Sequence, residues 1–204
     1  MTLADDRWWR DFDAVVLNGV APRSRVLDVG CGDGGLVHRL EASGLDALGV
    51  DPDARAHPRL IRTKVEDFSP LDKFDAICAV MALHHAELRS VLAAIRRLLR
   101  PGGRVFVYDF AWERFDESAA AWLAAHDPSD ADNSVSAWHL EHRHLHTGSK
   151  IRSALGDFFG GCSETQRPYL ARMLGNHALE REEETMIAQG ELVALGTWYD
   201  AGMR

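Results

Sequence analysis

The sequence predicts an α/β domain built on a largely parallel sheet. Three observations predict it. Short β-rich apolar runs alternate with longer helical ones over the first half of the chain. The first β-rich run leads straight into a glycine-rich turn, and 204 residues suit about one domain with one sizeable core. Strand–helix alternation of this kind implies right-handed crossovers and parallel neighbours.

Taken in order, Val26-Leu27-Asp28-Val29 reads as the first strand. After the glycine turn, Leu36, Val37 and Leu40 share one helical face, and Gly44 stands where that helix stops. Ala47-Leu48-Gly49-Val50 is a second strand ending at Asp51-Pro52, and Leu60-Ile61 with Val65 a weaker third. The run Phe74–Val80 is nearly continuous in small and branched apolar residues, as expected of a strand covered on both faces. Leu88, Val91, Leu92, Ile95, Leu98 and Leu99 recur at helical spacing and make the best amphipathic helix of the chain. It is expected to stop at Pro101-Gly102-Gly103, with Arg96, Arg97 and Arg100 complementing the negative end of its dipole. A fifth strand follows over 104–110. Beyond it, Trp112, Phe115, Ala119, Trp122 and Leu123 fall on one helical stripe, and a polar stretch occupies 127–134. Helical segments are then predicted around 136–146 and 151–159, a strand over 164–174, a charged helix over 177–189 and a last strand over 192–199. Residues 112–160 therefore read as a helical insertion between strands five and six of one domain, 1–204, too long for a plain connection.

Lys plus Arg number 23 and Asp plus Glu 31, a formal net charge of −8. An acidic globule has no long-range attraction for nucleic acid or an anionic membrane, and no apolar run approaches the length of a membrane-spanning helix. The acidic start Met1-Thr2-Leu3-Ala4-Asp5-Asp6-Arg7 resembles neither a secretory signal nor a transit peptide, so a cytoplasmic location is expected. Cys31, Cys78 and Cys162 are odd in number and lack CxxC spacing, so they read as reduced, mostly buried thiols rather than a disulfide or zinc framework.

In an open parallel sheet, ligands bind at the carboxyl ends of the strands. Gly30 and Gly32 let the backbone turn tightly and approach a ligand, and the helix that follows presents unpaired N–H groups. Gly30, Gly32 and Gly35 also satisfy the dinucleotide pattern, with Asp51 about 20 residues on where a ribose-binding acid belongs. The glycines thus leave a nicotinamide cofactor and another adenosine ligand both open. Asp28 weighs between them, because an acid at the strand tip repels a pyrophosphate and suits a ligand that presents positive charge or amine donors.

The run Val26-Leu27-Asp28-Val29-Gly30-Cys31-Gly32-Asp33-Gly34 resembles the first motif of class I S-adenosylmethionine-dependent methyltransferases. Gly49-Val50-Asp51-Pro52-Asp53 resembles their second motif, Phe74-Asp75 through Ala82-Leu83-His84-His85 their fourth-strand motif, and Leu98-Leu99-Arg100-Pro101-Gly102-Gly103-Arg104-Val105 the turn before their fifth strand. The resemblance implies a seven-stranded doubly wound Rossmann-like sheet of order 3-2-1-4-5-7-6 with the last strand antiparallel. It implies S-adenosylmethionine as cofactor and S-adenosylhomocysteine as product. Asp28, Gly30, Cys31 and Gly32 would then surround the methionyl amine and carboxylate, Asp51 would hold the ribose and Pro52 border the adenine. Lys64 stands at the family's commonest acidic position near the adenine amine, leaving Glu66 or Asp67 to substitute. Val80 and Met81 would line the methionine side. No Asn-Pro-Pro-Tyr-like tetrapeptide follows the fourth strand, where Ala79-Val80-Met81-Ala82 stands, which points away from base and glutamine nitrogens and toward a small-molecule methyl acceptor.

His85 and His84 are candidates for proton transfer or for simple packing beside the cofactor. Tyr108 and Asp109 end the fifth strand and face the same crevice by position, where either would orient a substrate or cap a turn. His139, His142, His144 and His146 carry metal-like spacings, yet no nearby carboxylate or cysteine completes a site, and no metal is expected. Trp8, Trp9 and Phe12 would either close over the cofactor or pack an N-terminal helix. Trp112, Phe115, Trp122 and Trp138 would form an apolar lid for the acceptor. The reading is methyl transfer by direct in-line displacement, in a monomer or homodimer. A nicotinamide-dependent oxidoreductase and a non-catalytic cofactor-binding protein are the alternatives.

Overall fold

A computed structural model describes residues 7–127, 129 and 132–203, with the side chains of Arg7 and Trp8 outside that description. Seven strands form one sheet: β1 (Arg25–Val29), β2 (Asp46–Asp51), β3 (Leu60–Arg62), β4 (Phe74–Val80), β5 (Leu99–Phe110), β6 (Cys162–Arg167) and β7 (Gly196–Gly202). Their order is β3-β2-β1-β4-β5-β7-β6, the order expected. The β2–β3, β1–β2, β1–β4 and β4–β5 pairs are parallel, and β7 runs antiparallel to both β5 and β6.

Among the described residues, eight α-helices flank the sheet: α1 (Arg7–Gly19), α2 (Gly35–Ala42), α3 (Leu88–Leu98), α4 (Glu117–His126), α5 (Val135–His142), α6 (Gly148–Phe159), α7 (Leu170–Met173) and α8 (Glu180–Gln189). Alternation along β1 sends Val26 to one apolar layer and Leu27 and Val29 to the other. The first layer joins α1, α2 and the insertion helices α4 and α5, through Phe12, Val16, Leu36, Val37, Trp122 and Trp138. The second is the α3 and α6 side, with Leu92, Ile95, Ile151 and Leu155 fully buried. Among the described residues, no helix is long and apolar enough to cross a membrane.

Several elements differ from their predicted extents. The stripe through Trp112 and Leu123 is two elements, because Asp116 accepts hydrogen bonds from the Ser118 and Ala119 N–H groups and starts α4 only after a 3-10 turn at Trp112–Arg114. The strand expected to 174 ends at Arg167. Pro168 has no N–H for the ladder, and the Glu183 carboxylate takes the N–H groups of Tyr169, Leu170 and Ala171 into α7. The last strand, expected over 192–199, runs instead from Gly196 to Gly202, and the Ala111 N–H donates to the Leu195 carbonyl just before it. α3 ends before its proline because Leu99 pairs with Phe74 as the first residue of β5.

Candidate functional site

β1 ends in the turn Gly30-Cys31-Gly32, at the switch between β2 and β4. Gly30 has φ +75, and a Cβ there would lie 2.7 Å from Ala82 Cβ, so only glycine lets the turn pass the end of β4. Gly32 has φ +53, and nothing lies within 4 Å of the point where a Cβ would stand, which leaves its surface open for a ligand. The Asp51 carboxylate ties the two strand tips together, its Oδ2 accepting from Gly32 N at 3.1 Å and its Oδ1 from Asp53 N at 2.7 Å. Cys31 is buried against Gly49, and burial raises its thiol to about 12, so it packs as a neutral side chain.

Asp28 is 3% exposed, and its Oδ1 is an enclosed oxygen with no hydrogen-bond partner. Burial pushes its carboxyl from 3.8 up to about 7; nearby Arg39 pulls it down and Asp51 pushes it further up. Arg39 itself is held by Asp13 at 2.9 Å and lies 3.8 Å from the Trp9 ring centre. An orphaned buried carboxylate is costly in isolation. It is suited to a ligand cation, and beside an open glycine turn these residues fit an amino-acid-bearing nucleoside.

A cavity of about 520 Å³ opens beside the turn, lined among others by Asp51, Pro52, Glu66, Met81, Leu83 and His85. Glu66 also accepts from the Ser90 hydroxyl at 3.1 Å, whereas Asp67 is exposed and outside this lining. Lys64 lines the cavity at the position where the resemblance implied an acid. Met81 has φ 53, a strained conformation for a residue with a side chain, and its N–H donates to the Tyr108 carbonyl at 2.8 Å. Val80 packs against the first apolar layer rather than lining the cavity. A wider groove of about 580 Å³ between α3 and α6 holds none of the turn residues.

The strand-five candidates are placed differently from one another. Tyr108 is fully buried and spends its hydroxyl on the Pro168 carbonyl at 3.0 Å, away from the crevice. Asp109 is also fully buried. Its Oδ2 accepts from the Leu83 and His84 N–H groups, and its Oδ1 accepts from Phe110 N and lies 2.6 Å from His84 Nδ1. His85 is exposed at the cavity wall, its ring 4.1 Å from that of His84; burial and the neighbouring His84 lower its pKa.

Of the four histidines between 139 and 146, three bond backbone carbonyls, His139 that of Phe115, His142 that of Trp138 and His146 that of Ala86, while the His144 ring lies 6.4 Å from that of His85. The expected aromatic lid is interior, with Phe115 stacked on Trp138 at 4.2 Å and the Trp138 indole donating to the Trp112 carbonyl. Phe12 packs edge-on to Trp198 at 6.1 Å, while Trp8 lies outside the described side chains. Sequence reasoning missed Arg39, Ala82 and Tyr169. Tyr169 falls inside the strand expected over 164–174, and only tertiary packing brings it to the end of β5.

A parallel sheet that switches order beside a glycine turn, with acids at the tips of β1 and β2, defines a nucleoside-binding α/β protein of the methyltransferase type. A methyltransferase-domain family model matches residues 10–158, and the chain belongs to this family, the class I Rossmann-like methyltransferases. A ubiquinone biosynthesis O-methyltransferase of Methylococcus capsulatus is 32% identical over 150 residues, 58% of this chain and 61% of that protein. An uncharacterized methyltransferase of Mycobacterium bovis is 36% identical over 109 residues, 48% of this chain and 43% of that one. The alignments thus cover less than two thirds of either relative's length. In fold, a putative methyltransferase from an antibiotic biosynthesis pathway of Anabaena variabilis superposes with a TM-score of 0.64 at 17% identity, over 95% of this chain and 97% of that one. A 1,6-didemethyltoxoflavin-N1-methyltransferase of Burkholderia thailandensis, solved with bound 1,6-didemethyltoxoflavin and S-adenosylhomocysteine, superposes with a TM-score of 0.62 at 17% identity, over 98% and 80% of the two chains.

Proposed function

We propose that the chain binds S-adenosylmethionine and transfers its methyl group to a small-molecule acceptor by direct in-line displacement. The observation that carries this reading is the enclosed, unpartnered Asp28 Oδ1 at the tip of β1. When bound, the cofactor supplies a methyl carbon already activated on a sulfonium. Asp28 receives the methionyl ammonium, and the backbone at Gly30, Cys31 and Gly32 borders the carboxylate. Asp51 accepts the ribose hydroxyls, Pro52 and Glu66 border the adenine, and Met81 flanks the methionine side. The chain's remaining task is to align the nucleophile and exclude water, which together supply roughly 7–11 kcal/mol of a barrier of this kind. Residues 112–160, as an insertion in a single domain, form the acceptor side. A net charge of −8 favours a small acceptor over a nucleic acid, and the chain acts in the cytoplasm as a monomer or homodimer.

Calorimetric titration with S-adenosylhomocysteine and, separately, with NADH tests the reading. Saturable binding of the first and none of the second is expected. Binding of NADH alone would replace it with the oxidoreductase alternative.

A further inference from the structure

The cavity of about 520 Å³ is lined on its β3 side by Thr63, Lys64, Val65 and Glu66, consecutive residues of the turn that follows that strand. The Thr63 N–H fixes this segment to the tip of β2, donating to the Asp51 carbonyl at 3.1 Å. The next three carbonyls are all engaged. That of Lys64 accepts from Asp67 N at 3.1 Å and from the Thr63 hydroxyl at 3.3 Å. That of Val65 accepts from Phe68 N at 3.3 Å, and that of Glu66 from the Arg97 guanidinium at 3.2 Å.

The donors of the same residues are unused. Among the described residues, the N–H groups of Lys64, Val65 and Glu66 have no hydrogen-bond partner, and the Lys64 ammonium has neither a hydrogen-bond nor an ion-pair partner. Val65 is 4% exposed, and a backbone N–H so placed is costly to leave without an acceptor. A lysine ammonium carries three donors and no acceptor. The segment's single carboxylate is Glu66, and one of its oxygens already holds the Ser90 hydroxyl at 3.1 Å. This end of the cavity is therefore rich in donors and poor in acceptors.

A base bound here is selected by that imbalance. The ring nitrogens of adenine are acceptors, but its 6-amino group is a donor, for which the segment's carboxylate has one oxygen left. A 6-oxopurine carries an acceptor oxygen in place of the amino group and a donor N–H at N1. An ammonium beside a carboxylate meets both. An acid in the place of Lys64 would instead set oxygen against oxygen.

We propose that Lys64 sets the base specificity of the site, and that the site takes the 6-oxopurine counterpart of the cofactor, the S-inosyl nucleoside, alongside the S-adenosyl one. The proposal rests on the cofactor reading above. With hypoxanthine, the Lys64 ammonium donates to the 6-oxygen and Glu66 accepts from N1–H. With adenine, Glu66 accepts from the 6-amino group, and the exposed Lys64 side chain turns its ammonium to solvent. Adenine is thus bound without help from Lys64, and hypoxanthine with it.

Calorimetric titration of the full chain with S-adenosylhomocysteine and, separately, with S-inosylhomocysteine tests this. Wild type is expected to bind both, with dissociation constants within about tenfold of each other. Lys64→Met keeps an unbranched side chain at an exposed position and removes only the donors. It is expected to weaken the inosyl ligand by about 10- to 100-fold and to change the adenosyl affinity by less than about threefold. Lys64→Asp is expected to widen the gap between the two ligands further. A wild-type gap above about tenfold in favour of the adenosyl ligand, or a gap that does not widen in Lys64→Met, overturns the proposal. Wild type that binds neither ligand would instead bring down the cofactor reading beneath it.

Discussion

Substituting Asp28 with asparagine tests the cofactor assignment by way of protons. Burial, the largest influence, moves the Asp28 carboxyl from 3.8 to about 7. Because the folded value is raised, the native state holds a proton that the unfolded chain has released between about pH 4 and pH 7. Folding takes up that proton, so ligand-free stability declines as pH climbs through this window. At about 1.4 kcal/mol per pH unit, the interval from 3.8 to about 7 comes to about 4 kcal/mol. An ammonium placed against the unpartnered Oδ1 restores the charged form and expels the proton. At pH 6 about nine in ten Asp28 side chains are protonated, and binding of S-adenosylhomocysteine should release about 0.9 proton. At pH 8 the carboxyl is already mostly charged, so this release should largely vanish. Calorimetry in two buffers of different ionisation enthalpy reads these numbers. Asp28→Asn should abolish the release at pH 6 and cost about 3 kcal/mol of affinity, on the order of a hundredfold. It should also remove the decline in ligand-free stability between pH 4 and 7. No proton release at pH 6 in wild type, or the same release in the variant, refutes the reasoning.

Two further perturbations probe the scaffold. Gly30→Ala sets a Cβ 2.7 Å from Ala82 Cβ at φ +75, so thermal denaturation should show a loss of about 1–3 kcal/mol together with weakened S-adenosylhomocysteine binding. Glu183→Ala leaves the N–H groups of Tyr169, Leu170 and Ala171 buried without their acceptor; urea denaturation should show a loss of about 3 kcal/mol or more, and Glu183→Gln a smaller one.

The residues that hold the strand tips were legible because their chemistry is local. Gly30 needs a positive φ wherever this turn occurs, and Asp28 and Asp51 sit at the ends of short apolar runs that can only be strands. The β4 boundaries at Phe74 and Val80 and the start of α3 at Leu88 were read from the apolar pattern alone. The second half of the chain resisted the same reading. Leu192, Ala194 and Leu195 are buried like strand residues but lie in a connection, and the 164–174 run turns helical after Pro168 because Glu183, distant in sequence, supplies the acceptor. Trp112, Phe115 and Trp138 carried an aromatic signal that fits a lid and a core equally well; the stacking of Phe115 on Trp138 and the indole bond to the Trp112 carbonyl resolve it in favour of the core.

By itself, then, the sequence determined the order of elements, the glycine turn and the acids beside it, since each depends on a few neighbouring residues and on backbone sterics. Tertiary structure alone decided which way the strand-five side chains act. Adjacent residues of a strand point to opposite faces, so Tyr108 is committed to Pro168 while Asp109 turns to grip His84. It alone left Asp28 without a partner, because the desolvation of a carboxylate depends on everything packed around it and on nothing in its own segment.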